Sequence, residues 1–453
     1  MTDYETLRQR HVAESRAIVR EHRERIVWPA ERIRAEREWR LRLLVNAAQR
    51  GSTWHRQRLA GIDPGAVTEA DLPRIPPMTK DDMMAHLDEI FTDPRLSRGL
   101  VEAHLETLID DAYLLDEFHV FASGGSSGRR GLFVWDWNGW LWFGLTFVRF
   151  WLRERAELGL GPEAVEAVVA ADKASHMTGA MTFIPPTMPV HRFPATLSLP
   201  EIVAGLNRVQ PAIVRGYPTA LAMLAAEARA GKLRIAPRAV RAHSEPLLPE
   251  MRRAIEEAWG RPVGNSYGTT EGACATSCGK GRGMHLNEDL CIFELVDEDG
   301  QPVPAGERCA KVYVTNLMNM AQPLIRYELT DELTLLDEPC ACGSALRRVD
   351  DIEGRTDDVF VYPGGIVVHP LTFRSLLGRE RNVVDYQVRQ TLRGATVIVR
   401  TSGAVDLVTL TRRIANALAR AGVTDSEVTI ERHEAFERQA SGKLRRFFPL
   451  PLL

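Results

Sequence analysis

Between residues 164 and 231, short apolar runs alternate with amphipathic helical stretches, and no other feature limits the fold as much. "AVEAVVAA", from Ala164, is a short apolar run, and "PAIVRGYP" has strand character. Between them "SLPEIVAGLNRVQ" starts at the cap Ser198 and puts Ile202, Val203, Leu206 and Val209 on one helical face. "TALAMLAAEARAG" predicts a helix from Thr219, ended by Gly231. Strands alternating with helices of this length predict an α/β sheet. The flanks have a different texture. Residues 1–115 read mainly as helices, with a loop punctuated by Pro73, Pro76 and Pro77 before a helix capped by Thr79. Near the C-terminus, "YQVRQTLRGATVIVR" reads as a hairpin turning at Arg393–Gly394. "DLVTLTRRIANALARAG" is a helix from Asp406 to Gly422, and "EVTIER" is another strand. A chain of 453 residues is too long for one core. The expected organisation is a large N-terminal domain, 1–356, of mixed sheets and helices, followed by a small α+β domain, 357–453.

Charge and composition exclude several function classes. Lys plus Arg number 57 against 60 Asp plus Glu, a net charge of −3 that gives no reason to expect a nucleic-acid partner. The Arg-rich opening to Arg42 is interleaved with Glu14, Glu21, Glu24, Glu31, Glu36 and Glu38, as on a solvated helix surface. "MTDYETLRQRHV" lacks the apolar core of a signal peptide. "GWLWFGLTFVRFWL", from Gly139 to Leu152, is too short to span a bilayer and contains Arg149. With Trp140, Trp142 and Trp151 it reads as a buried helix. A soluble, cytoplasmic protein with no membrane partner is expected. Six cysteines in so long a chain do not suggest a disulfide framework.

"FASGGSSGRRGLFVWDW", from Phe121 to Trp137, raises the first question about chemistry. Taken alone it reads as a flexible Gly/Ser hinge or as a loop whose backbone N–H groups close around phosphate oxygens. It lies between the strand-like "HVFA" and "GLFVW" and lacks G-x-x-x-x-G-K-[ST], so it is no strand-to-helix P-loop. Four later segments follow in order: "SYGTTEG" from Ser266, "PLIRYELTDE" from Pro323, "EGRTDDVF" from Glu353 and "SGKLRRF" from Ser441. Together the five resemble the successive core motifs of the adenylate-forming superfamily, which holds acyl-CoA synthetases and the adenylation domains of peptide synthetases. Within it, "HRQRLAGIDPGAVTEADLPRIPPMTKDDM", "GMHLNEDLC" and "CACGSALRRVDDIEGRTDD" are similar to the phenylacetate–CoA ligase branch.

The resemblance implies ATP-dependent activation of a carboxylic acid as acyl-adenylate, with loss of pyrophosphate, then displacement of AMP by a thiol. Charge then gathers on phosphate oxygens and calls for fixed donors, Mg²⁺ and a mobile cation. By the same resemblance Ser123, Gly124, Gly125, Ser126, Ser127 and Gly128 cradle the β- and γ-phosphates. Arg129 stands where the family usually has Lys. Thr270 and Glu271 contact phosphate and hold Mg²⁺, and Asp331 binds the ribose hydroxyls. Arg355 reaches ribose and phosphates, while Ser244, Glu245, Pro246, Tyr267 and Gly268 surround the adenine. Lys443 bridges carboxylate and α-phosphate, and the small domain is a mobile lid hinged at Asp357. The acid, aryl or arylacetic in this branch, would lie near His176 to Thr182, Tyr217 and His243. Coenzyme A is the expected acceptor; a carrier-protein thiol, an amine or another nitrogen nucleophile stays open, as does a homodimer. A non-catalytic nucleotide-binding homologue is the third reading, kept by the departures "SSGRR" and "YELTDE".

The cysteines form a second set. Cys340 and Cys342 flank one residue, and Cys278 precedes His285 by seven positions. Both pieces occur in the phenylacetate–CoA ligase branch, some members of which hold structural zinc with three Cys and one His. The resemblance therefore implies Cys278, His285, Cys340 and Cys342 as zinc ligands, a set suited to tetrahedral Zn²⁺. Two separate buried pairs in a reduced protein are the alternative. Cys274, Cys291 and Cys309 are expected to be packing residues.

Overall fold

The computed structural model describes residues 2–108, 111–123, 131–170, 177, 181, 188–195, 197, 199–350, 352, 360–368, 370–377, 380, 382–437 and 445–450. The N-terminal region is helical, led by α1 (Tyr4–Glu24) and α2 (Ala30–Gly51). Thr79 caps the short helix Lys80–Ala85 in a reciprocal box with Asp82, as its sequence position predicts. Strands β1 (His119–Ser123) and β2 (Gly131–Trp135) then form an antiparallel hairpin, with Ser123 opposite Gly131. Side-chain amides satisfy part of the β2 backbone. Gln322 accepts from Val134 N at 2.7 Å, and Asn319 donates to Val134 O at 2.7 Å.

Helix α3 (Trp137–Glu157) follows, capped by Asp136, which accepts from Gly139 N at 2.7 Å. It is the buried helix its tryptophans and phenylalanines indicate, with Trp140, Phe143, Leu145 and Phe150 in the core. Arg149 is also inside. Its two terminal nitrogens each donate to the Asp289 carboxylate at 2.8 Å. Among the described residues no helix is long and apolar enough to cross a membrane.

The strand–helix alternation builds the main sheet. In order come β3 (Glu166–Ala170), β4 (Val190–Pro194), α4 (Leu199–Val209), β5 (Ile213–Gly216), α5 (Pro218–Arg229), β6 (Ala239–His243), α6 (Pro249–Trp259) and β7 (Val263–Gly268). Next are β8 (Cys274–Thr276), β9 (Met284–Leu286), β10 (Cys291–Val296), β11 (Lys311–Asn316), β12 (Tyr327–Leu329), β13 (Leu335–Leu336) and β14 (Arg348–Val349). Among the described residues the main sheet has nine strands in the order β13-β14-β9-β8-β7-β6-β5-β3-β4. The half from β4 to β7 is parallel and the half from β7 to β13 is antiparallel. Strands β10, β11 and β12 form a separate antiparallel sheet. Ile202, Val203 and Leu206 are buried on α4, as periodicity requires. Helix α5 starts at Pro218, one residue before the expected Thr219, because proline at the first helical position gives up an N–H that has no partner there.

The C-terminal part contains β15 (Phe360–Tyr362), β16 (Ile366–Val368), α7 (Leu371–Leu377), β17 (Val383–Thr391), β18 (Gly394–Thr401), α8 (Leu407–Arg420), β19 (Glu427–Arg432) and β20 (Phe447–Phe448). Four of these strands pair as β19-β18-β17-β20. The hairpin turns at Leu392–Arg393, a residue earlier than expected, since Thr391 pairs with Gly394. Gly394 is a strand residue: a Cβ there would run into the Glu427 backbone of β19. Met251 and Ile255 of α6 share one buried cluster with Phe360, Tyr386, Val388 and Phe447.

Candidate functional site

Parallel strands β6 and β7 end side by side, His243 opposite Ser266, and the residues following both ends meet there. In open α/β sheets this is where ligands gather. Just past β6, Ser244 has φ +68°, a left-handed conformation that a residue with a Cβ rarely adopts. Its Oγ lies 3.0 Å from His243 Nδ1, and the His243 ring meets Tyr217 edge-on at 5.8 Å. Glu245, expected near an adenine, is committed to the start of α5. Its carboxylate accepts from Thr219 N at 3.2 Å and Thr219 Oγ1 at 2.7 Å, where a helix N-terminus favours negative charge. Pro246 follows it.

Past β7 the chain turns at once. Tyr267 and Gly268 close the strand, and Thr269 N donates to Ala273 O at 2.9 Å across the turn. Three successive carbonyls of this turn are each held by a side chain from elsewhere. Trp135 Nε1 donates to Thr270 O at 3.2 Å, Asn316 Nδ2 to Glu271 O at 3.0 Å and Asn287 Nδ2 to Gly272 O at 3.2 Å. A hairpin strand, the second sheet and the segment after β9 thus fix one backbone. Gly268 must be small, because a Cβ would lie 2.5 Å from Phe147 Cζ on α3. Gly272 has φ +107°, and a Cβ there would lie 2.8 Å from Asn316 Cγ and 3.1 Å from Trp135. Gly272→Ala therefore combines backbone strain with a push on two of the three holding residues. It should destabilise the protein by about 1–3 kcal/mol, read as a lowered denaturation midpoint.

The remaining expected residues divide between described and undescribed positions. Ser123 ends β1, opposite Gly131 at the start of β2. Gly124, Gly125, Ser126, Ser127, Gly128, Arg129, Arg355, Asp357 and Lys443 lie outside the described residues, as does His176 to Thr182 apart from Met177 and Met181. Those two methionines pack against the aromatic cluster of α3 that includes Phe147. Asp331 is buried just past β12, in the sheet whose β11 supplies Asn316.

The Cys and His pieces come together. The ligand atoms of Cys278, His285, Cys340 and Cys342 all lie within 4.8 Å of one another. Cys278 Sγ and Cys340 Sγ are 3.5 Å apart, and Cys342 Sγ is 3.3 Å from His285 Nε2. The other ring nitrogen, His285 Nδ1, is 2.9 Å from Leu346 O, which orients the ring and leaves Nε2 facing the thiols. Hydrogen bonding from Cys278 lowers the Cys342 thiol against the opposing effect of burial, with His285 adding to the lowering, while the contact with Cys342 and burial push Cys278 up. Two unrelated pairs would not converge in this way.

Trp135, Asn287 and Asn316 were not among the residues singled out from sequence. Trp135 and Asn287 do lie inside quoted stretches, "FASGGSSGRRGLFVWDW" and "GMHLNEDLC". Asn316 carries no such signal.

No model of a known protein family matches the chain. It is 28% identical over 403 residues to the phenylacetate-coenzyme A ligase of Thermus thermophilus, covering 83% of this chain and 80% of that one. A stretch of 156 residues is 30% identical to the phenylacetate-coenzyme A ligase of Escherichia coli, 33% of this chain and 35% of that one. Among solved structures, 2-hydroxyisobutyryl-CoA ligase in the postadenylation state in complex with R3-HIB-AMP superposes with a TM-score of 0.69. Identity is 20%, over 94% of this chain and 91% of that one. Over most of its length the chain is similar in sequence to phenylacetate-coenzyme A ligase, and it shares the fold of 2-hydroxyisobutyryl-CoA ligase.

Proposed function

We propose that this protein is an AMP-forming acid–CoA ligase: it activates a carboxylic acid with ATP as acyl-adenylate, then passes the acyl group to coenzyme A. The observation that carries the reading is the Thr269–Gly272 turn, whose three carbonyls are pinned from three separate elements. Such rigidity suits a site that must stabilise charge as it develops on phosphate oxygens. The Thermus relative, named for this chemistry, supports it over most of both chains.

In this reading the carboxylate oxygen attacks the α-phosphorus of ATP and pyrophosphate leaves. Ser123 to Gly128 hold the β- and γ-phosphates, and Lys443 lies between acid and α-phosphate. Thr270 contacts phosphate, Asp331 accepts from the ribose hydroxyls and Arg355 reaches ribose and phosphates. Ser244, Pro246, Tyr267 and Gly268 border the adenine, with Glu245 anchoring that edge through α5. Glu271 offers a hard carboxylate oxygen of the kind Mg²⁺ takes, and the ion there would offset phosphate charge. Residues 357–453 act as a lid hinged at Asp357, which brings Lys443 in for adenylation and withdraws it for thiol attack. The acid lies against an apolar wall of Phe147, Met177 and Met181, with Tyr217 and His243 nearby, which favours an aryl or arylacetic acid. Acid-dependent ATP–pyrophosphate exchange over a panel of carboxylic acids tests the reading. Exchange with aryl acids is the expected result; no exchange with any acid would end it.

The four-residue cluster fits zinc. A tetrahedral site with these ligands has edges of about 3.8 Å between sulfurs and about 3.5 Å between sulfur and nitrogen, close to the 3.5 Å between Cys278 and Cys340 and the 3.3 Å between Cys342 Sγ and His285 Nε2. The ion would tie the segment after β8 and the strand β9 to the segment before β14, away from the chemistry. Purified protein should hold about one zinc per chain, and Cys340→Ser should lower both zinc content and melting temperature. Metal analysis of protein prepared without chelator decides this, and absence of zinc contradicts it.

A further inference from the structure

The candidate site lies where β6 and β7 end. At their beginnings, on the opposite edge of the sheet, a second hollow opens. It has a volume of about 750 Å³, in the range of small-molecule sites. Its walls are the end of α3, the residues leading into β6 and β7, and the loop 279–283.

Its charge is unlike that of the whole chain. Arg238, Arg241, Arg252, Arg261, Lys280 and Arg282 line it, against the carboxylates of Glu154, Glu157 and Asp350. Six cations against three acids leave a local excess of three positive charges, in a chain whose net charge is −3. Each acid is already engaged: Glu154 pairs with Arg241, Glu157 with Lys280 at 2.9 Å and Asp350 with Arg282. Arg252 reaches Glu256, outside the hollow, at 3.3 Å. Arg238 donates to Leu158 O at the end of α3. A helix C-terminus offsets about half a charge, so most of the surplus remains.

The surplus has a definite place. Val240 of β6 pairs with Val263 of β7, so Arg238 and Arg261, each two residues earlier, stand level where the two strands begin. Neighbouring strands run about 4.8 Å apart, a spacing at which facing like charges repel. Both side chains are exposed, and an anion between them removes the repulsion. Lys280 and Arg282 place a second pair of cations on another wall, the loop. Arginine forks recognise phosphate groups, and cation pairs on two walls suit a ligand charged at both ends. We propose that this hollow binds a small anionic metabolite with a phosphate group at each end, distinct from the substrates of the candidate site. Bound there, it ties the beginnings of β6 and β7 to the loop 279–283. The inference does not depend on the ligase reading.

The test uses fructose 1,6-bisphosphate as probe and the whole protein. Calorimetric titration should find one saturable site, with inorganic phosphate bound at least about tenfold more weakly because it reaches one wall alone. R238E/R261E should weaken bisphosphate binding at least about tenfold, with a melting curve as the folding control. R238Q/R261Q, which removes the charges without reversing them, takes its place if that variant does not fold. Hydrogen–deuterium exchange locates the site: the bisphosphate should slow exchange at 279–283 in the wild type and not in the variant. Absence of binding, equal affinity for inorganic phosphate, unchanged affinity in the folded variant or unaltered exchange at 279–283 would overturn the proposal. Displacement of the probe by ATP or coenzyme A at equal concentration would also overturn it, by giving the hollow to a substrate.

Discussion

Lys443→Ala should slow acyl-adenylate formation by roughly a hundredfold or more, while thiolysis of supplied acyl-adenylate is much less affected. The reason is where charge develops. In the adenylation step negative charge shifts onto the α-phosphate as two anionic partners approach, and a fixed cation between them stabilises that arrangement above the ground state. In the thiol step the same position must be vacated. A hundredfold loss corresponds to about 2.7 kcal/mol of transition-state stabilisation, in the range for one well-placed group. A lysine that only adds charge to a tail predicts no change in either half-reaction. Equal loss in both would contradict its placement. Single-turnover assays of the two half-reactions separate these outcomes.

Asp289→Ala should destabilise the protein by about 3–5 kcal/mol, the other large effect expected. Asp289 is fully buried and Arg149 is 1% exposed, so the variant strands a guanidinium inside the aromatic core of α3. Arg25, whose Nη1 lies 3.5 Å from Asp289 Oδ2, loses a partner as well, although Glu21 and Glu36 still hold it. Replacing both partners, as in Arg149→Met with Asp289→Leu, should recover most of the loss, because two apolar groups leave no unpaired charge. The pair also gives a pH signature. Burial opposes charge on Asp289, but the Arg149 guanidinium prevails and holds the carboxyl at about 2, below an ordinary 3.8. A depressed folded pKa gives stability that is present above the ordinary value and lost as pH falls through the folded one. The wild type should therefore lose stability between about pH 4 and pH 2 by this route, and Asp289→Ala should lack that component. Denaturant midpoints across that range measure it.

Local patterns were legible in the sequence, and side-chain ties between distant segments were not. Apolar periodicity around Ile202, Val203 and Leu206 is enough to place α4 and the parallel strands beside it, because burial of one face dictates the spacing. The Thr79–Asp82 box is likewise a four-residue signal. The meeting of Cys278, His285, Cys340 and Cys342 could be anticipated because cysteine is scarce, so three cysteines and a histidine in two pieces stand out. Asn287 and Asn316 could not be read. Asparagine is common in turns, and their purpose depends on which backbone they meet across the fold. Glu245 illustrates the opposite case, a residue matched to a motif whose carboxylate is engaged with Thr219 at the start of a helix. Gly394 looked like half of a turn and is a strand residue, since only the neighbouring β19 makes a side chain there impossible.

The most direct test of the central claim follows one oxygen atom. With a carboxylic acid labelled with ¹⁸O in its carboxylate, the oxygen that attacks the α-phosphorus stays with phosphorus when the thiol expels AMP. Mass spectrometry of the products should therefore find one labelled oxygen in AMP and one in the acyl thioester. Label in inorganic phosphate, with ADP formed in place of AMP, would show attack at the γ-phosphate and contradict the account.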